Sequence, residues 1–170
     1  MWSEHQTSEL SVQESEARRA RGGHRTSARI MEVALLIVLP ILFHYLIPVM
    51  VVVPRPYSYL GIVPMLLGLG LSTWASRLFR EEGTGFQLQD GGYSLVTTGP
   101  FRFSRNPMYL GMLVWLLGLA VLLGSLSPFV FPLMLLLLAN YLFIPLEERR
   151  MEQAAGEEFA AYKRRVRRWL

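Results

Sequence analysis

Two short stretches of this chain hold side chains that could do chemistry together. The first is Gly99-Pro100-Phe101-Arg102-Phe103-Ser104-Arg105-Asn106-Pro107-Met108-Tyr109. Asparagine caps helices and proline opens them, so a helix is expected to start here, with Asn106 as cap and Pro107 as first residue. A helix start offers unpaired N–H groups and a partial positive charge. With Arg102 and Arg105 beside it, such a site suits a carboxylate or a phosphate. The second stretch opens on Glu147-Glu148 and runs to Leu170. There Met151, Ala155, Phe159, Tyr162, Val166 and Trp169 recur at helical spacing, opposite a strongly basic face. Read alone, each stretch also has a plain meaning. The first fits a capped helix with arginines at headgroup level, and the second fits a surface helix whose cations meet anionic lipid.

These stretches must be positioned by the rest of the chain, which is mostly apolar. Of 170 residues, 52% are hydrophobic and 18% charged. The apolar residues fall into four runs, Ile30 to Val53, Tyr57 to Phe79, Pro107 to Gly124 and Pro128 to Leu146. Each matches the roughly 17–25 residues that cross a bilayer as helix, and in lipid the backbone must bond to itself. The expected fold class is therefore an all-α membrane protein: four transmembrane helices plus a cytoplasmic amphipathic C-terminal helix. Pro54-Arg55-Pro56 separates the first two runs, and Gly124 to Ser127 the last two, with Ser127 expected as a cap. Gly61, Gly68 and Gly70 offer small surfaces for close packing, and Gly156 is a point where the C-terminal helix can break. Residues 1–29 read as a mobile polar tail, 80–106 as a turn-rich loop, and 30–170 as one membrane domain.

Charge sets the orientation. Of the 17 basic residues, all but Arg55 and Arg77 lie in the N-terminal tail, the middle loop or the C-terminal segment, and Arg77 stands at the loop end of the second run. A four-span chain puts those three on one side, and the positive-inside rule makes it the cytoplasm. The protein is thus expected to be multi-pass with both termini cytoplasmic. Its basic balance is read as topology and contact with membrane lipids, not as nucleic-acid binding. Cysteine is absent, and His5, His24 and His44 are scattered, so no metal site, disulfide or cysteine nucleophile is expected. Glu32 and His44 fall within the first run, where ionisable groups attract notice. Neither has a visible partner.

The first stretch, extended through Leu110-Gly111, resembles the central signature of the isoprenylcysteine carboxyl methyltransferases and the related phospholipid methyltransferases. Glu147-Glu148, followed by Gly156, Phe159, Tyr162, Val166 and Arg168, resembles that family's C-terminal signature. The resemblance covers about two-thirds of the chain, from Tyr57 onward. It implies an S-adenosylmethionine-dependent membrane methyltransferase, with a hydrophobic or lipidated acceptor entering from the bilayer. Carried over, it implies that Arg105, Asn106 and Tyr109 act in catalysis. Arg105, Asn106, Pro107, Tyr109, Gly111, Glu147, Glu148 and Tyr162 would bind the cofactor. Many members carry histidine where this chain has Asn106, and asparagine has no proton to exchange. The acceptor expected here is a carboxylate, since it needs no base. The alternatives are a phospholipid amine, or a non-enzymatic protein that keeps the fold.

Overall fold

A computed structural model describes residues 35–47, 49–81 and 95–170. The expectations placed on residues 1–29, on Glu32 and on residues 82–94 of the loop lie outside the described residues. The chain divides into two compact units, Met1–Leu42 and Phe43–Leu170. In the first, the described backbone is helical from residue 35. All contacts described below lie within the second.

The first apolar run does not stay helical to Val53. Its helix, α1, is Leu35–Leu46. The sequence explains the stop: Pro48 lacks an N–H and disfavours helical backbone at the residue before it. Residues expected in the span instead form a clasp with the connection after the third run. Val51 bridges Ser125 in antiparallel fashion, Val52 N and Val53 N both donate to Gly124 O, and Leu126 N donates to Met50 O. Gly124 adopts φ 79°, a left-handed turn open to glycine. Ser127 is not a cap. Its hydroxyl reaches Phe43 O at 3.4 Å, while His44 Nδ1 meets Ser125 Oγ at 2.7 Å. His44 therefore has a partner that its sequence position did not reveal.

Helices α2 (Ile62–Glu81) and α3 (Pro107–Leu123) form the centre of the bundle. Their approach is set by glycines seven residues apart on each side, Gly61 being the last residue of the 3-10 turn that leads into α2. Gly61 faces Gly118 and Gly68 faces Gly111, an antiparallel pairing. A Cβ on Gly68 would stand 2.5 Å from Gly111 O and from Trp115 N, both backbone atoms that cannot swing aside. A Cβ on Gly111 would meet Gly68 O and Ser72 N at 2.7 Å. Hydrogen there lets two backbones touch, the usual device where lipid gives no hydrophobic drive to helix pairing.

The fourth run does not end as a helix at Leu146. Helical backbone runs from Ser127 to Arg165, through α4 (Val130–Leu138), a π-helical turn (Ala139–Phe143) and α5 (Ile144–Arg165). Gly156 breaks α5 with φ 44° and ψ −116°, as its sequence position suggested. Phe159 and Tyr162 of the apolar stripe are buried. Val166 is already extended, at φ −120° and ψ 133°, so Val166 and Trp169 lie beyond the helix that was expected to carry them.

Among the described residues, two helical stretches, Tyr57–Glu81 and Ser127–Arg165, are long and apolar enough to cross a membrane, and α1 and α3 are shorter apolar helices. In the most apolar windows of the two long stretches only 22% and 28% is buried. A soluble core helix would be mostly covered. Here Leu66, Leu67 and Leu133 stay exposed, a surface that calls for lipid. The glycine pairing gives a contrast to test. Gly70 has nothing within 4 Å of its Cβ position. Gly70→Ala should be neutral or stabilise by about 0.5–1 kcal/mol, whereas Gly68→Ala should cost about 1–3 kcal/mol through overpacking. Thermal unfolding of the two variants in detergent, followed by circular dichroism, would measure both. Equal melting temperatures would refute the close approach.

Candidate functional site

The two chemistry-bearing stretches come together where α3 begins and α5 follows the π-turn. Consecutive residues on a helix point about 100° apart, and this splits the acidic pair. Glu148 turns inward and is 8% exposed, whereas Glu147 is exposed. The buried carboxylate is held from two sides. Arg105 Nη1 donates to Glu148 Oε1 at 2.7 Å, and Arg168 Nη2 donates to Glu148 Oε2 at 2.8 Å. Lys163 Nζ stands 3.9 Å from the same Oε2 and bonds Glu152 at 2.7 Å. A carboxylate removed from water needs such pairing, because desolvation otherwise outweighs the attraction.

Glu147 accepts a hydrogen bond from the Tyr109 hydroxyl at 2.8 Å. The Tyr109 ring lies nearly parallel to Phe143, with centroids 6.3 Å apart and 10° between planes. Tyr109 thus presents an aromatic face beside an exposed carboxylate.

Asn106 is brought into the cluster but not as a cap. Its side chain makes no capping bond; Nδ2 instead donates to Arg168 O at 3.0 Å. Ser104 Oγ accepts from Asn106 N at 3.1 Å and donates to Arg168 O at 3.3 Å. Arg105 N donates to Arg167 O at 3.0 Å. The extended residues after α5 therefore lie along the start of α3 and take up donors of the three residues before it. Arg105 Nε is buried and has no hydrogen-bond partner among the described residues.

Pro107 is fully buried beneath this cluster. Gly111 stands in the contact with α2, against Gly68 and Ser72. Tyr162 is buried and donates its hydroxyl to Phe101 O at 2.7 Å. That bond ties the last turn of α5 to the segment entering α3, where Phe101 packs with Ala75 and Val96. Burial pushes the Tyr162 phenol up to about 12, against the lowering pull of Arg105. The hydroxyl is therefore a neutral donor throughout the physiological range.

One participant, Asn140, escaped the sequence reading, and two more, Ser104 and the guanidinium of Arg168, stood in the quoted stretches without an assigned role. Arg168 Nη1 reaches Asn140 Oδ1 at 3.3 Å, and Trp169 Nε1 reaches the same oxygen at 3.4 Å. Asn140 carried a signal, as a lone amide within an apolar run. The π-turn that holds it is a second signal, visible only in the fold; such turns gather at functional sites. Arg168 stood in the C-terminal signature, which gave it no role as a partner of Glu148.

Comparison with known proteins fits this geometry. The phospholipid methyltransferase family profile matches residues 57–158, and the chain belongs to that family. It is similar to a probable protein-S-isoprenylcysteine O-methyltransferase of Oryza sativa subsp. indica, 33% identical over 115 residues. That alignment covers 64% of this chain and 58% of the rice protein. The counterpart from Oryza sativa subsp. japonica gives the same figures. An uncharacterized protein of Haemophilus influenzae is 36% identical over 63 residues, covering 37% of this chain and all of that protein. The chain thus spans under three-fifths of the length of the rice proteins it matches.

The different surroundings of the two glutamates yield a paired expectation. Glu148→Gln leaves Arg105 and Arg168 without their counter-charge in a buried place and should cost about 3 kcal/mol. Glu147→Gln alters an exposed contact and should cost under about 1 kcal/mol. Melting temperatures in detergent would rank them, and a Glu147 variant as unstable as the Glu148 variant would reverse the assignment of anchor.

Proposed function

We propose that this protein is an S-adenosylmethionine-dependent membrane methyltransferase that methylates a carboxylate on a lipidated or otherwise hydrophobic acceptor. The observation that carries the reading is the joining of the two signature stretches at one place, Arg105 to Glu148 and Tyr109 to Glu147. The rice proteins named as probable protein-S-isoprenylcysteine O-methyltransferases support the acceptor class.

The residues fit the cofactor. Its carboxylate would supply the acceptor that buried Arg105 Nε lacks. The exposed Glu147 carboxylate suits its ammonium or its ribose hydroxyls. The Tyr109 ring, backed by Phe143, offers a face to a sulfonium or to adenine. Bound there, the cofactor supplies a methyl group on a sulfonium, ready for direct displacement. What remains for the protein is alignment and exclusion of water. Glu148 fixes Arg105, and through Arg168 it fixes the segment that covers the start of α3. Asn106 has committed its amide to Arg168 O and exchanges no proton. A carboxylate acceptor, ionised near neutral pH, attacks without one.

In this reading the four apolar runs are four spans with both ends cytoplasmic, supported by the distribution of basic residues. α3, at 17 residues, is at the short end of what crosses a bilayer. Reporter fusions after Pro54, Gly91, Ser125 and Leu170 test it. The fusions at Gly91 and Leu170 should report the cytoplasm, and an external signal at either would refute the topology.

One observation favours a second reading, a phospholipid amine as acceptor. Glu147 is an exposed carboxylate at the site and can take the proton that an amine must lose. The family's description as phospholipid methyltransferases points the same way. A side-by-side assay with methyl-labelled S-adenosylmethionine decides. A prenylated cysteine analogue should acquire base-labile label, as an ester does, while phosphatidylethanolamine in mixed micelles should not. Base-stable label on the phospholipid alone would reverse the assignment.

A further inference from the structure

Beside the site, the segment entering α3 and the end of α5 enclose an open cavity of about 220 Å³, lined by Thr97, Arg102, Tyr162, Arg165 and Val166. Two of its five lining residues are arginines. Arg105, Lys163 and Arg168 are all paired with Glu148. Among the described residues, Arg102 and Arg165 have no side-chain ion pair or hydrogen bond, and no acidic side chain lines the cavity. Arginine stays charged at any accessible pH. Two guanidiniums that share a hollow without a counter-ion repel each other, and an anion between them removes that cost.

We propose that this cavity binds the phosphodiester of a membrane phospholipid. Size, donors and position each select that ligand. The volume falls below the roughly 300 Å³ at which pockets begin to hold whole drug-sized molecules, so it takes a headgroup fragment and excludes an acyl chain or an entire nucleoside. Two planar guanidiniums match phosphate oxygens in bidentate fashion, and the Thr97 hydroxyl adds a donor. Tyr162 does not compete as an anion, since its hydroxyl is given to Phe101 O. Position separates lipid from free phosphate. Arg102 is followed by Phe103, which is 71% exposed, and the apolar surface of α3 begins at Pro107. The cavity lies where apolar helix gives way to charge, the level of lipid phosphates. The proposal rests on the membrane reading and not on methyl transfer.

The test is calorimetric titration of the full chain in dodecyl maltoside with three probes. These are dihexanoylphosphatidylglycerol, dihexanoylglycerol without phosphate, and inorganic phosphate. The phospholipid should bind the wild type, dihexanoylglycerol should not, and inorganic phosphate should bind more weakly. Arg102→Gln with Arg165→Gln should weaken the phospholipid by about tenfold or more, the loss expected for hydrogen bonds to a charged group. Each single substitution removes an exposed, partnerless side chain and keeps the test readable should the double variant not fold; each should weaken binding several-fold. Unchanged affinity in these variants overturns the proposal, as does equal binding of dihexanoylglycerol. Inorganic phosphate binding as tightly as the phospholipid assigns the cavity to a soluble anion and overturns the lipid assignment. Loss of S-adenosylmethionine binding by the wild type would sink the methyltransferase reading and leave this one standing.

Discussion

The carboxylate of Glu148, buried between Arg105 and Arg168, is the contact on which the rest of this end of the molecule depends. It joins three segments that are distant in sequence: the entry to α3, the N-terminal part of α5 and the extended residues after α5. None of the three is held there by apolar packing alone. The same ion cluster sets the direction of Arg105, leaves its Nε without an acceptor, and draws the backbone of Arg167 and Arg168 across the helix start. Because a buried charge is tolerated only with its partners in place, the cluster forms as a whole or not at all.

The glycine pairing of α2 and α3 works at right angles to this. Gly61 with Gly118 and Gly68 with Gly111 bring the two backbones into contact along the length of the helices. The pairing needs no polar group, and it fixes how far the start of α3 stands from the end of α2. At the far end of the bundle the clasp of Met50–Val53 with Gly124–Leu126 does a similar task through hydrogen bonds. The site is thus carried on a scaffold closed at both ends by polar contacts and in the middle by contact without side chains.

Much of this was legible in the residues. The helix starting at Pro107 follows from proline chemistry, the break at Gly156 from glycine's freedom, and the close packing of α2 from its glycines. Arg105, Tyr109 and the acidic pair were marked as belonging together, and they do meet. What was not legible has physical causes. Adjacent glutamates look alike in sequence, and only the helix phase sends Glu148 inward and Glu147 outward. Asn106 looks like a cap because asparagine caps helices on average. Here Ser104 and the carbonyl of Arg168 claim its groups first, and the segment that supplies that carbonyl is sixty residues away. The end of α1 at Leu46 was foreshadowed by Pro48, but the apolar composition to Val53 spoke more loudly than one proline. Gly111, marked for the cofactor, is spent on the contact with α2.

The π-turn at Ala139–Phe143 adds one residue within a helix that otherwise advances by about 100° at each step. Upstream and downstream halves of the long helix are therefore out of phase by one residue. Asn140 faces Arg168 and Trp169 only because of that offset. Loss of a single leucine from the preceding run would do more than shorten the helix. It would turn every position before it by about 100° relative to Asn140 and the glutamates. When this chain is aligned with shorter or straighter relatives, a one-residue gap belongs inside this helix, where gaps are ordinarily forbidden. An alignment that refuses it will pair the wrong faces.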